Sequence, residues 1–285
     1  MLVSARDLES LTIGATDGDI GSVYDFYFDD ESWTVRYLVV DTGHWLPGRR
    51  VLVSPMSVRE PSWSEQRLAV RLTREQVEHS PDIDAGGPIT RRHESELVRH
   101  YGLDPYWFGP YRWGAMPYPF GPVPLAGEVG AGSGVTPEAR RALEREGLAN
   151  VGAEHVEGRH LGEERGDRHL RSAREVMGYA IQATDGEIGH VEDFLVDDRT
   201  WAIRYVVVDT RNWLPGKHVL VAPEWISLVS WPDSKVYVSM SRERIREAPE
   251  YDASRPPERD EERRLYAHYD RAGYWDAEPP DDRAA

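Results

Sequence analysis

The chain contains no cysteine, only two lysines, and no run of eighteen apolar residues. Without cysteine, it cannot form disulfides, thiolate metal sites or a cysteine nucleophile. The first ten residues, MLVSARDLES, also lack the basic and apolar segments of a signal peptide. We therefore predict a cytoplasmic protein with no membrane span. Positive charge is almost all arginine, which is typical of a GC-rich bacterial genome.

Negative charge predominates in every part of the chain, and the net charge is −16. Nucleic-acid binding depends largely on cationic side chains that displace counterions from phosphates. An anionic lipid surface would repel the same acidic chain. The charge therefore argues against a general nucleic-acid or membrane-surface role.

The motifs of common enzyme classes are also missing. The sequence has no G-x-S-x-G, no H-E-x-x-H and no glycine-rich loop followed by lysine. We therefore predict a protein that is not an enzyme, with no cofactor and no metal site.

One long segment occurs twice. WTVRYLVVDTGHWLPGRRVLV (33–53) returns as WAIRYVVVDTRNWLPGKHVLV (201–221), 168 positions later. Over residues 2–55 and 170–223 the alignment has no gap, and 31 of 54 positions are identical. The same register continues to Tyr106-Trp107 and Tyr274-Trp275, so the pattern indicates a duplicated structural unit.

Each repeat reads as a series of short strands joined by tight turns. The dipeptides Asp17-Gly18 and Asp185-Gly186 predict hairpins, because glycine accepts the positive φ of a primed turn. Five or six strands follow one another in about 75 residues with no room for crossover helices. We predict a mainly β protein made of two small antiparallel barrels, each followed by short helices.

Composition changes sharply between the repeats. A segment rich in proline, glycine and aromatics leads into glycine-rich and charged sequence, which is typical of a flexible linker. We predict barrel repeat 1 (1–84), a helical extension (85–107), a linker with one short helix (108–168), barrel repeat 2 (169–252), and a helical extension with an acidic tail (253–285).

The repeated motifs resemble those of the PRC-barrel family. They are TDGDIG and TDGEIG, the Asp-Phe pairs at 25–26 and 193–194, W-x-x-R-Y-x-V-V-D-T, and W-L-P-G-x-x-V-L-V. The family includes the cytoplasmic domain of the photosynthetic reaction-centre H subunit and the C-terminal domain of the ribosome maturation factor RimM. The resemblance implies a small barrel that binds other macromolecules and has no shared catalytic residues.

The repeated Trp-Leu-Pro-Gly turns are candidate contact surfaces, since a loop tryptophan supplies rigid apolar area. The alternative is that these tryptophans close an end of each barrel. The residues concerned are Trp45, Leu46 and Pro47 in the first repeat, and Trp213, Leu214 and Pro215 in the second.

Two further features are candidate partner sites. Arg36 and Arg204 are predicted on the outer face of a strand, paired either with a carboxylate or with a partner. Tyr111 and Trp113 belong to an aromatic segment that either docks onto a barrel or a partner, or connects the repeats without order.

Acidic residues that recur in both repeats allow two interpretations. They could hold Ca²⁺ or Mg²⁺, but turn chemistry is the favoured one, because aspartate accepts hydrogen bonds from nearby backbone amides. The pairs are Asp17 and Asp185, Asp25 and Asp193, Asp29 and Asp197, Asp30 and Asp198, and Asp41 and Asp209.

We thus predict a non-enzymatic protein-binding adaptor whose barrels pack as a pseudo-dimer within one chain or in a homodimer. A two-headed, bivalent binder is the alternative arrangement. Two other functions stay open, namely an H-subunit-like accessory protein of a photosynthetic or electron-transfer complex and, less favoured, a carboxylate-metal enzyme.

Overall fold

A computed structural model describes residues 1–9, 11–43, 45–59, 63–81, 89–119, 169–210 and 217–276. The chain forms two compact units. The first-repeat unit consists of Arg6–Arg174 and Asp198–Ala202, and the second-repeat unit consists of Met1–Ala5, Glu175–Asp197 and Ile203–Ala285.

Short strands predominate in the part of the chain that the structure describes. The strands are β1 (Leu2–Ser4), β2 (Thr12–Ala15), β3 (Gly18–Asp29), β4 (Thr34–Asp41), β5 (Arg50–Val53), β6 (Arg67–Ala69), β7 (Leu170–Ser172), β8 (Ala180–Ala183), β9 (Gly186–Asp197), β10 (Ile203–Asp209), β11 (His218–Val221), β12 (Ile226–Ser230) and β13 (Lys235–Val238). The α-helices are α1 (Ala5–Glu9), α2 (Arg74–Glu78), α3 (Arg91–Tyr101), α4 (Ala173–Val176), α5 (Arg242–Arg246) and α6 (Arg259–His268). The predicted mainly β fold with short helices is confirmed.

Each unit is built on one sheet. In the first-repeat unit the strand order is β5-β4-β3-β2-β6, and β7 pairs with β3. In the second-repeat unit it is β11-β10-β9-β8-β13-β12, and β1 pairs with β9. The β-branched and aromatic runs of β4 and β10 lie inside these sheets and are buried along nearly their whole length, as expected for central strands covered on both faces.

The prediction of purely antiparallel sheets is wrong for one pair in each unit. Strand β2 pairs with β6 in parallel, and β8 pairs with β13 in parallel. Parallel neighbours need a crossover, and between β8 and β13 it runs through β9, β10, β11 and β12, with the 3₁₀ helix Pro223–Trp225 leading the chain from β11 into β12.

That crossover also forces the second-repeat sheet to roll up. Six strands laid flat would separate β11 from β12 by about 24 Å. The five steps from Val221 to Ile226 span at most about 18 Å. Because β11 and β12 are the two edges of the sheet, they must curl toward one another, which gives a barrel-like unit whose edge strands are not paired.

A glycine in each repeat permits the close packing of neighbouring strands. Gly21 and Gly189 have φ values of 138° and 145°. A side chain at either position would overlap the carbonyl oxygen of Asp41 or Asp209 on the next strand. Only glycine adopts this geometry without strain.

The opening strand of each repeat completes the sheet of the other repeat, which the sequence did not predict. Leu2 pairs with Asp197 and Ser4 with Leu195. In the equivalent register, Leu170 pairs with Asp29 and Ser172 with Tyr27. The two repeats therefore exchange their opening strands reciprocally.

The first-repeat unit also includes residues 198–202, a turn that belongs to the second repeat in sequence. The backbone N–H of Val35 donates to the Trp201 carbonyl oxygen over 2.8 Å, and Thr34 forms a bridge with Ala202. The indole ring of Trp63 donates to the Asp198 carboxylate over 2.9 Å.

Helices α2, α3, α5 and α6 follow the strands of the two repeats, as predicted. Thr73 and Gln76 form a capping box at the start of α2, and the two longer helices α3 and α6 lie within residues 85–107 and 253–285. Of the predicted linker, residues 120–168 lie outside the described part of the chain.

The strand exchange can be tested with an engineered disulfide. We expect the Leu2→Cys and Asp197→Cys pair to form a disulfide within one chain, because directly paired antiparallel residues lie close enough to be bridged. The chain has no other cysteine, so the gel mobility under non-reducing conditions and the mass of linked peptides report this pair alone.

The matched control uses the same place in the other repeat. Leu2→Cys combined with Asp29→Cys should stay reduced, because Asp29 pairs with Leu170. A disulfide in this control, with none in the first pair, would show that each opening strand stays with its own repeat.

Candidate functional site

A buried glutamate joins the helix to the sheet in the second-repeat unit. Glu262 on α6 is 3% exposed. Its Oε1 atom accepts hydrogen bonds from the hydroxyl groups of Tyr205 on β10 and Tyr274, over 2.9 and 2.8 Å. Its Oε2 atom lies 2.9 Å from the guanidinium of Arg259. Each carboxylate oxygen thus has a donor from its own unit.

The first-repeat unit has the same arrangement 168 positions earlier. Glu94 on α3 is fully buried and accepts from the Tyr106 hydroxyl over 2.6 Å. Its second oxygen lies 2.9 Å from Arg91 and 3.0 Å from the His169 ring. His169 precedes β7, so the exchanged strand contributes directly to this network.

Burial controls the protonation of these groups. Desolvation raises the pKa of Tyr205, Tyr106 and Tyr274 well above the ordinary value for tyrosine, and the neighbouring carboxylates raise it further. The pKa of Glu262 is also raised by burial, although the hydrogen bond from Tyr274 opposes that shift. The tyrosines are therefore fixed hydrogen-bond donors, and the network supports packing of the helix on the sheet.

Glu94 and Glu262 were missed in the sequence, although a signal was present. On α3 the buried residues are Glu94, Leu97, Val98 and Tyr101, at the spacing of one helical face. A glutamate within an otherwise apolar stripe, recurring at the same place in the second repeat, indicates a buried acid that needs partners.

The predicted partner-binding arginines lie under this network. Arg36 is 4% exposed, and its guanidinium stacks 3.8 Å from the centre of the Tyr106 ring and 3.6 Å from the Asp29 carboxylate. Arg204 is 7% exposed, 4.0 Å from the Tyr274 ring and 3.0 Å from Asp197. Of the two sequence interpretations, the structure shows pairing with a carboxylate for both.

The aromatic segment docks onto its own unit. Trp113 is 2% exposed, and its indole N–H donates to the Thr200 carbonyl oxygen over 2.8 Å. The Arg36 guanidinium donates to the backbone carbonyl of Arg112 over 2.6 Å. Tyr111, in contrast, is 55% exposed. Of this predicted pair, only Tyr111 is available at the surface.

The first Trp-Leu-Pro-Gly turn is held by its neighbours and faces solvent. The Thr42 hydroxyl lies 2.7 Å from the carbonyl oxygens of both Leu46 and Arg49, so it closes the base of the loop. The Arg74 guanidinium lies 4.6 Å from the Trp45 ring centre. Trp45 and Leu46 are half-buried and Pro47 is exposed. Trp213, Leu214 and Pro215 lie outside the described residues.

Asp25 receives the exchanged strand. Its carboxylate accepts from the Ser172 hydroxyl over 2.5 Å, from the Arg174 backbone N–H over 3.2 Å and from the Phe26 N–H over 2.7 Å. Burial raises the pKa of Asp25, and these hydrogen bonds lower it in part. Beside it, Arg171 of β7 pairs with Asp30 over 2.9 Å.

Other repeated aspartates follow turn and capping chemistry. Asp17 and Asp185 accept from the backbone N–H groups of Arg74 and Arg242 at the starts of α2 and α5. Asp29 accepts from two N–H groups in the turn that follows it. Over the described residues, no group of three or more histidine or acidic side chains is placed to hold a metal ion.

The Glu262 network should be a large contributor to stability. We expect Glu262→Ala to lower the free energy of unfolding by about 2 to 3 kcal/mol, because it leaves two buried tyrosine hydroxyls and Arg259 without their acceptor. Urea unfolding measures this change. Glu243→Ala, at an exposed site of the same unit, is the control, and an equal loss in both variants would contradict a special role for Glu262.

The raised pKa of Asp25 predicts a specific pH dependence. Because the folded chain binds this proton more tightly than the unfolded chain, Asp25 destabilises the fold as pH rises from its ordinary pKa of 3.8 through the raised value. We expect Asp25→Asn, which keeps an oxygen acceptor, to gain stability relative to wild type over that rise.

Urea unfolding at a series of pH values measures the difference between the two proteins. Asp25→Ala removes the acceptor and should be destabilised at every pH. A constant difference between Asp25→Asn and wild type across the series would contradict burial as the dominant influence on Asp25.

No helix within the described ranges is both long and apolar enough to span a membrane.

Comparison with known proteins identifies the repeats. Among curated proteins, none matches the chain. The family model of the PRC-barrel domain matches residues 2–64 and 169–242. The chain therefore carries two tandem PRC-barrel domains.

Proposed function

We propose that this chain is a non-enzymatic scaffold that binds other proteins through the surfaces of its two PRC-barrel units. PRC-barrel domains are generally protein-interaction modules, and the family is typically non-catalytic. The observation that carries the proposal is the first Trp-Leu-Pro-Gly turn, in which the half-buried Trp45 and the exposed Pro47 present apolar area from a fixed base. A cytoplasmic location stays a prediction from the cysteine-free composition.

The geometry of this turn suits a contact surface. Arg74 holds the Trp45 ring by a cation–π contact, and the Thr42 hydroxyl fixes the loop base. A side chain that is already ordered loses little entropy when a partner covers it. Pro47 adds exposed apolar surface beside it. The repeated sequence at 213–215 is proposed to serve in the same way.

The reciprocal strand exchange supports a pseudo-dimer over two independent heads. Each sheet includes a strand from the other repeat. Separating the two repeats as free heads on a linker would remove β1 from β9 and β7 from β3. We therefore propose that the two units act as one scaffold, so that a single chain always carries the binding surfaces of both units.

Affinity purification of the full chain from its native cells tests this function. We expect the Trp45→Ala, Trp213→Ala double variant to lose specific partner proteins that wild type retains, because it removes both loop anchors. Glu243→Ala, at an exposed site away from these loops, should keep the same partners. Quantitative mass spectrometry of the bound proteins gives the comparison.

The outcomes separate the alternatives. If the double variant keeps every partner, the tryptophan loops are not the contact surface. Co-purification of a pigment-protein or electron-transfer complex would assign the H-subunit-like accessory role. Stoichiometric divalent metal in purified wild-type protein, with a metal-dependent rise in Tm, would favour the enzyme and overturn the scaffold.

A further inference from the structure

His169 lies directly before the exchanged strand β7. Its ring Nε2 atom lies 3.0 Å from Oε2 of Glu94 and 3.3 Å from the Tyr106 hydroxyl. Its backbone carbonyl accepts from the Asp30 N–H over 2.9 Å, next to the ladder between β7 and β3. The side chain is only 10% exposed. His169 therefore connects the docked strand to the buried network of the first-repeat unit.

The contact between His169 and Glu94 depends on charge. Glu94 is fully buried, and its Oε2 atom accepts no hydrogen bond within the described part of the chain. The His169 ring is thus close to this oxygen without the alignment that would let a neutral ring donate a good hydrogen bond. A protonated ring places a positive charge beside a desolvated carboxylate, which is attractive even without ideal alignment. The ring therefore interacts strongly with Glu94 only in its protonated form.

The other charges of this network balance in sign. Arg91 lies 2.9 Å from the same Glu94 oxygen, but its side chain is 36% exposed, so solvent screens part of its charge. Burial raises the pKa of Asp30, whereas a hydrogen bond from Arg171 and the charge of His169 lower it in part. Protonation of His169 thus adds a charge to a network that is otherwise neutral. Its members are the carboxylates of Glu94, Asp29 and Asp30, the guanidinium groups of Arg91, Arg36 and Arg171, and the hydroxyl groups of Tyr37 and Tyr106.

The second-repeat unit has no histidine at this place. Met1 occupies the position equivalent to His169. Glu262, the counterpart of Glu94, accepts hydrogen bonds from the hydroxyl groups of Tyr205 and Tyr274, and burial raises the pKa of both tyrosines. Docking of β1 on β9 therefore lacks the imidazole that adjoins β7, so a response through this group is specific to the first-repeat unit.

We propose that His169 makes the docking of β7 on β3 sensitive to pH, tightening it when the ring is protonated and loosening it when the ring is neutral. Strand β7 has only three residues, so each contact is a large share of what keeps it docked. The contacts from Ser172 to Asp25 and from Arg171 to Asp30 stay in place. Loss of the proton therefore weakens docking without abolishing it.

Linkage between proton binding and docking gives the sign of the effect. Histidine in an unfolded chain titrates at about pH 6.5. Docking of β7 places the His169 ring beside the Glu94 carboxylate, so the docked state binds the proton more tightly than the undocked state. The added stability is fully present below about pH 6.5 and is lost as the pH rises above that value.

Hydrogen–deuterium exchange of the full chain tests the proposal. Mass spectrometry compares the peptides that contain Leu170–Ser172 in wild type and in His169→Gln at each pH between about 5.5 and 8.5. We expect wild type to be protected about tenfold more than the variant at the acidic end. The difference should disappear at the basic end, because glutamine carries no charge at any pH. His79→Gln, at an exposed histidine of the same unit, should match wild type throughout.

A second measurement follows the proton on the ring directly. NMR spectra of the histidine rings are recorded across the same pH range, and the His169 signals are assigned by their absence from His169→Gln. We expect His169 to lose its proton at a higher pH than the exposed His79, because the Glu94 carboxylate stabilises the charged ring. This titration is carried out on the wild-type fold, so it does not depend on the stability of a variant.

Either of two results would overturn the proposal. One is a ratio of protection between wild type and His169→Gln that stays constant with pH, which would leave His169 a purely structural role. The other is a His169 ring that loses its proton at the same pH as His79 or at a lower one. Neither measurement involves a partner protein, so failure of this inference is distinguishable from failure of the proposed scaffold function.

Discussion

The structure depends on two very short strands, each of which pairs with the sheet of the other repeat. Strands β1 and β7 have three residues each, too few to be stable except as additions to an existing sheet. Leu2, Val3 and Ala5 are buried when β1 lies on β9, and each fully buried Val or Leu side chain contributes about 1.5 to 3 kcal/mol. The exchange thus makes the stability of each unit depend on residues of the other repeat.

The residues around the exchanged strands differ between the two units. In the first-repeat unit His169 lies beside Glu94 and Arg171 beside Asp30. The equivalent positions are Met1, which precedes β1, and Val3 in β1. The acceptor strands keep the same register in both units. The backbone pairing is therefore shared, while the side chains beside it differ between the two docking sites.

The buried Arg-Tyr-Glu clusters limit where a partner can bind. Arginine and tryptophan are common at interfaces. The charges of Arg36 and Arg204 and the indole N–H of Trp113 are, however, paired inside the units. Within the described residues, apolar surface is exposed at the Trp45 turn and at the side chains of Tyr111 and Leu228. Two of these three lie outside the aromatic segment, which serves mainly as packing for its own barrel.

Residue patterns alone reveal the duplication, the PRC-barrel motifs, the short strands with their turns, and the short helices that follow them. These depend on contacts within about ten residues or on direct repetition, so a local pattern reveals them. The repeat that each opening strand joins is visible only in the folded chain, because Asp29 and Asp197 offer equivalent pairing positions to Leu2 and Leu170. Likewise, the burial of Arg36 and the parallel pairing of β2 with β6 depend on long-range packing, which the local alternation of residues does not encode.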